Sequence, residues 1–298
     1  MKTPKVVAAV AAPRVPSPRW RLTLFRVLAA LLGLVYLPGA ILMIAPWAPS
    51  RMATALPNLS PLIWAWAKSA HPDLQRWAFA FSACVDEAIA LILFYLAWRP
   101  LGRPLLLQFL ALALVVALGA NIPFIGPGII VGYSPLLLLL VAYPEPRWLL
   151  TPIWRGRISW SLLALAVVVG AFFIPLVWRA FQAQVKGADE LALNFAWASI
   201  VEHLCNLWLI AFFATSQQPG STLLALVVTA CLLYLGVAAI SVPGNPGSWG
   251  LAGGAIAILG GAAYIAITAH KWQRGRHRQR DCRSARWGAR FVRYSAFL

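Results

Sequence analysis

The sequence predicts an all-α, polytopic membrane protein of about eight transmembrane helices, and three observations carry that expectation. Of 298 residues, 61% are apolar and only 11% are charged. A typical soluble domain has roughly 25% charged residues, so these polar side chains cannot cover a globule. Eight mostly apolar stretches approach the ~20 residues a helix needs to cross a hydrocarbon core of about 30 Å. Finally, Lys and Arg are distributed unevenly about those stretches, as they are in proteins whose topology is set by charge.

In chain order, residues 1–22 are basic and Pro-rich and read as a cytoplasmic tail without a core of its own. Residues 23–270 form the bundle, with spans near 23–46, 77–98, 104–123, 127–143, 158–178, 192–214, 222–242 and 248–270. The first is too long for the apolar region of a signal peptide and carries Pro38 near its middle, so it is read as a retained span. After it, Leu62, Ile63, Trp64 and Trp66, flanked by Pro57, Pro61 and Pro72, predict a short helix at the membrane surface. The fourth span is the shortest, with Gly126, Pro127 and Gly128 at its start. Trp47, Trp77, Trp98, Trp148, Trp178, Trp249 and Trp272 fall near span ends and are expected to anchor at the interface. Pro243 to Gly247 is a tight turn. Gly250, Gly253, Gly254, Ala257 and Gly261 give the last span a small-residue face suited to close helix packing.

With eight spans and a cytoplasmic N-terminus, 20 of the 25 basic residues lie on the cytoplasmic side; only Arg51, Lys68, Arg76, Arg179 and Lys186 lie outside. Both termini are therefore expected in the cytoplasm of a bacterium, with the bundle in its inner membrane. Residues 271–298 form a second basic tail, predicted as an interfacial helix. Arg283, Arg286, Arg290 and Arg293 make one stripe, beside a second that includes Trp287 and Phe291. Such a surface suits anionic lipids of the cytoplasmic leaflet, at about 1 kcal/mol per basic residue. Beside a membrane span, lipid is a simpler partner for it than nucleic acid.

The chemistry is expected where charge is costly. Asp86 and Glu87 lie about ten residues from either end of the second span, and Glu202 and His203 lie deep in the sixth; Asn206 stands one turn beyond Glu202. Each intramembrane charge costs about 2.5–3.5 kcal/mol at mid-helix on insertion scales. Three readings follow. The carboxylates and imidazole can bind and release protons, hold a divalent cation through oxygen and nitrogen ligands, or glue helices together with Asn121 or Gln108. Asp86 and Glu87 point about 100° apart on a helix, so one small site cannot easily use both. Cys84, Cys205 and Cys231 lie in apolar runs and Cys282 in the tail, which supports neither a disulfide framework nor a zinc site. No HExxH, GxSxG, Walker A or dinucleotide-binding pattern is present, and no cofactor is implied.

Some spacings suggest a parallel four-plus-four duplication. Gly33 and Pro38 repeat as Gly170 and Pro175, Asp86–Glu87 as Glu202–His203, and Leu118–Gly119 as Leu235–Gly236. Transporters carry such repeats with substrate sites between the halves. The run from Gly236 to Gly253 and the turn Tyr143–Pro–Glu–Pro–Arg–Trp–Leu–Leu resemble an uncharacterised family of bacterial multi-pass integral membrane proteins. That resemblance covers about a third of the chain; it implies the span count and no activity. Those proteins also carry an Asp-x-His…His-Trp pattern before the sixth span; here Asp189 and Trp197 match it, and Ala196 stands at the second His. Three functions remain open: a permease for a small solute or ion, proton-coupled through Asp86, Glu87, Glu202 and His203; an intramembrane metal-dependent enzyme; and a non-catalytic assembly subunit. The sequence sets no oligomeric state.

Overall fold

The computed structural model describes residues 19–47, 75–126, 129–144, 158–187, 189–193 and 195–295, with the side chains of 129, 190, 272 and 274–295 excepted. The expected surface helix near 57–76 and most of the N-terminal tail lie outside these residues. The described chain is helical, and its one isolated β-bridge pairs Ile158 with Ser216. The helices are α1 (Arg19–Tyr36), continued as a 3-10 segment over Leu37–Ile44, α2 (Arg76–Trp98), α3 (Pro104–Ile125), α4 (Ile129–Ala142), α5 (Trp160–Lys186), α6 (Glu190–Leu193), α7 (Ala196–Phe213), α8 (Ser221–Ser241) and α9 (Gly250–Ser295).

Among the described residues, seven helices are long and apolar enough to cross a membrane; α4, at 14 residues, is shorter. At 1.5 Å per residue its rise is about 21 Å. The expected sixth span is divided into the short α6 and the longer α7, and the fifth runs on to Lys186. The backbone of the C-terminal tail continues α9 without a break to Ser295, whereas the side chains proposed to meet lipid, from Arg283 to Arg293, lie outside the description.

Local chemistry explains most boundaries. Pro104 opens α3, where no intrahelical donor is needed. Ser159 caps α5 by accepting the Leu162 N–H, and Gly187 closes it in the left-handed region at φ 61°. Pro135 inside α4 cannot donate to the Val131 carbonyl; the Ser134 hydroxyl donates to it instead, at 2.7 Å. Pro38 sits where α1 tightens into the 3-10 segment.

Helix ends gather at two levels. At one, Phe25 meets Tyr143 with ring centroids 5.2 Å apart, and the Ser159 N–H donates to the Thr215 carbonyl at 2.9 Å. At the other, Trp47 Nε1 donates to Ser241 Oγ at 2.8 Å and the Trp77 N–H to Asn245 Oδ1 at 3.1 Å. Trp77 and Trp249 do not anchor at an interface. Both are buried, their rings 5.2 Å apart, in an aromatic group with Phe81. Asn245, from the Pro243–Gly247 turn, holds the Trp77 backbone there. Trp98 and Trp178 are exposed, as expected of anchors.

The small-residue face of α9 packs inside the molecule against α8. Gly254 and Gly236 meet backbone to backbone, and Gly261 lies against Leu233 and the Thr229 carbonyl. The most enclosed spans are α2, 72% buried over its apolar window, and α7, 67% buried. Those are the two that carry the intramembrane acids.

Candidate functional site

The site begins with how α7 is set in place. Phe195, with a left-handed backbone at φ 56°, turns the chain from α6 into α7. Asp189 accepts from the Ala192 N–H at 2.8 Å, and both its oxygens accept from Trp197 Nε1 at 3.0 Å. Gln184 of α5 donates to the Ala192 carbonyl and accepts from the Ala198 N–H. Asp189 and Trp197 thus form a clamp that fixes the head of α7, one and a half turns above Glu202.

Glu202 is buried at 7% exposure. Its Oε2 accepts from Asn121 Nδ2 of α3 at 2.7 Å, and the Tyr133 hydroxyl of α4 donates at 3.0 Å to both oxygens. Both partners offer hydrogens, so the carboxylate acts throughout as an acceptor, the role its ionised form fills. Asn121 spends its other hydrogen on the Ala117 carbonyl at 2.8 Å, which fixes the amide orientation.

His203, the next residue round the helix, faces α2. Its Nδ1 lies against the Ser199 carbonyl, and its Nε2 is 3.3 Å from Asp86 Oδ1. A carbonyl oxygen only accepts, so Nδ1 carries a hydrogen. A neutral ring then offers a lone pair at Nε2, and an ionised Asp86 would offer another lone pair to it. The contact is attractive only with a proton between them, on the imidazole as an ion pair or on the carboxyl as a neutral pair. Such a proton would tie α2 to α7, whose contact also includes the Phe81 and His203 rings, 6.2 Å apart. The Asp86 side chain is 33% exposed, so this proton would sit at the edge of the enclosed region.

Glu87 turns away from this pair, as its helical position requires. Its Oε1 lies 3.8 Å from where a Cβ on Gly39 of the 3-10 segment would stand, enclosed without a hydrogen-bond partner. Asn206 is buried at 1% exposure; its Oδ1 has no partner and it joins neither cluster by a hydrogen bond. Sequence reasoning brought Asp86 and His203 to one depth and named Asn121 as a pairing partner, but it missed Tyr133 and the Ser199 carbonyl. A tyrosine beside a serine in the most apolar short span was the available signal for the first. Among the described residues, no three His, Cys, Asp or Glu side chains converge as a metal site. The acids stand apart: Glu202 with Asn121 and Tyr133, Asp86 with His203, and Glu87 turned away from both.

Fold and site together define a multi-pass helical membrane protein with a buried polar centre between α2, α3, α4 and α7. No known protein family, curated protein or solved structure matches the chain.

Proposed function

We propose that the protein is a proton-coupled permease for a small solute or ion in the bacterial inner membrane. The observation that carries this reading is the 3.3 Å approach of His203 Nε2 to Asp86 Oδ1 between the two most enclosed spans, a place where one proton can be held. Loss of that proton leaves two acceptors facing each other and removes a polar contact between α2 and α7, so helix packing and protonation are coupled. Glu202, beside His203, is the second carboxyl group that a proton or a solute cation would engage. The first span supports the same reading. Its α-helix gives way at Leu37–Ile44 to a tighter segment that Glu87 approaches at Gly39, and interrupted helices line substrate sites in many transporters.

The permease has eight spans and both termini in the cytoplasm. Tyr143, just past the end of α4, meets Phe25 near the start of α1, and α3 ends at the other level, where the Phe124 and Phe181 rings meet edge-on with centroids 6.0 Å apart. α4 therefore ends at the level opposite the end of α3.

Its two halves are a parallel duplication. Packing supports this: α1 lies on α2 as α5 lies on α7, α3 on α4 as α8 on α9, and α3 on α7 as α8 on α2. Gly33 receives the Phe94 ring of α2, and Gly170 receives the Trp208 ring of α7. A twofold relation of this kind puts the α2–α7 contact, and hence the Asp86–His203 pair, on the axis between the halves.

In liposomes holding a pH-sensitive dye, the purified protein should move protons when an appropriate solute from a small-molecule panel is added. Glu202→Gln should abolish that movement at normal expression and folding. Equal rates in the variant would overturn the permease reading.

A further inference from the structure

Five helices close a ring around the polar centre: α1 packs on α2, α2 on α7, α7 on α3, α3 on α4, and α4 back on α1. Each lends the centre a polar side chain. α2 carries Asp86, α7 carries Glu202 and His203, α3 carries Asn121 and α4 carries Tyr133. The fifth helix, α1, ends at Tyr36, which lies within electrostatic reach of Asp86 and Glu202, as Tyr133 does. α8 also packs on α2, but its Cys231 thiol meets that helix at the Cys84 carbonyl, and Glu87 is turned toward the 3-10 segment. Asn206 stands on α7 between the two functional groups, about 40° round the helix from Glu202 and about 60° from His203.

The hydrogens of Asn121 and Tyr133 are committed to Glu202 and the Ala117 carbonyl, and the Nδ1 hydrogen of His203 to the Ser199 carbonyl. Three acceptors remain. Asp86 gives Oδ1 to His203, and no described residue bonds its Oδ2. Glu202 Oε1 takes only the Tyr133 hydroxyl. Asn206 Oδ1, on a residue 1% exposed, has no partner, and a buried acceptor left without a donor is costly. Charge points the same way. Among the described residues, no Lys or Arg pairs with Asp86, Glu87 or Glu202. With one proton on the Asp86–His203 pair that pair is neutral overall, and the ionisable groups left, Glu87, Glu202 and the two tyrosines, can only add negative charge. Such a centre fits a cation that donates and does not accept. A primary ammonium has three N–H donors and no acceptor, and tyrosine rings suit the apolar group it carries. Asp86, whose side chain is 33% exposed, gives access.

We propose that the solute is a primary alkylammonium ion, bound by Asp86, Glu202 and Asn206 and exchanged for the proton of the Asp86–His203 pair. The ammonium favours Asp86 as carboxylate, so the proton leaves to solvent and His203 remains neutral with its hydrogen on Nδ1. One cation enters and one proton departs, and no covalent bond to carbon is made or broken. The exchange rests on the permease reading for movement across the membrane, whereas binding and proton release are measurable without it.

The full-length protein in mild detergent, weakly buffered and holding a pH dye, is titrated with methyl-, butyl- and octylammonium chloride, with tetramethylammonium and acetate as controls. At least one primary ion should bind saturably and release about one proton per cation bound. Tetramethylammonium has the charge without the N–H groups and should bind at least about tenfold more weakly. Asn206→Leu keeps the volume and removes an unpaired acceptor, so folding is preserved. It should weaken the best primary ion about tenfold, the low end for a hydrogen bond to a charged group. Equal affinity for tetramethylammonium would overturn the proposal, as would binding without proton release or no binding of any primary ion. Binding with proton release in a protein that moves no protons in liposomes would uphold the site and sink the permease. Proton movement on adding an anionic or neutral solute, with no ammonium bound, would do the reverse.

Discussion

An ideal Cβ on Gly254 would stand 2.6 Å from the Gly236 carbonyl oxygen, and one on Gly236 would stand 2.7 Å from that of Gly254. In both cases the obstacle is backbone, which cannot swing aside as a side chain can. Gly254→Ala should therefore force α8 and α9 apart and lower stability by about 1–3 kcal/mol, the usual cost of overpacking. Gly119 is the control. It lies inside α3 with nothing within 4 Å of its Cβ direction, so Gly119→Ala should be neutral or stabilising by up to about 1 kcal/mol. Thermal unfolding in one detergent compares the two; equal shifts would refute the close-packing argument. The same scale governs Glu202. Asn121→Ala deletes a donor at 2.7 Å from a buried carboxylate and should cost about 1–3 kcal/mol. Tyr133→Phe leaves the Asn121 bond in place and should cost less. If Tyr133→Phe proves the more damaging of the two, Asn121 is not the principal partner.

At the scale of elements, α4 shows how a short helix can be kept intact in lipid. Pro135 lacks the N–H that the Val131 carbonyl would otherwise receive, and the Ser134 hydroxyl supplies the missing hydrogen. Ser134→Ala should destabilise the helix by about 0.6 kcal/mol, an average value for a side-chain hydrogen bond in a membrane. Pro135→Ala restores the backbone donor, so adding it to Ser134→Ala should recover the loss. Two additive penalties in the double variant would show that the carbonyl was never the issue. This pairing explains why elements were more legible than contacts. α2, α3 and α8 lie within a few residues of their expected limits because a long apolar run bounded by polar residues or turns is a local signal. α5 extends past its expected end because Arg179 and Lys186 lie on a helix that breaks only at Gly187. Tyr133 stands 69 positions from Glu202, and no local period reports such a pairing. Trp77 and Trp249 misled for a related reason. Position near a span end says interface, but whether a ring turns outward or inward depends on neighbouring helices and on the Asn245 bond to the Trp77 backbone.

For the whole molecule, everything turns on whether α4 crosses. If it does, the chain makes eight crossings and both termini share a side. If it does not, every later segment changes side, and the basic tail from Lys271 to Arg293 emerges opposite the basic N-terminus. Charge separates these cases. With eight crossings, 20 of the 25 basic residues fall together; with seven, Arg147, Arg155, Arg157 and the nine basic residues of the tail are moved across the bilayer, against the usual bias. Packing favours eight as well, because the end of α4 lies at the level of Phe25 while the end of α3 lies at the level of Phe181. The proposed duplication also requires it, since α4 is then the counterpart of α9 and each half contributes four crossings. Fusions of a cytoplasm-active and a periplasm-active reporter after Leu298, and at a site within residues 145–157, should both report the cytoplasm. A periplasmic signal at both sites would make α4 a re-entrant hairpin, remove the twofold relation and leave the Asp86–His203 pair without its place between equivalent halves.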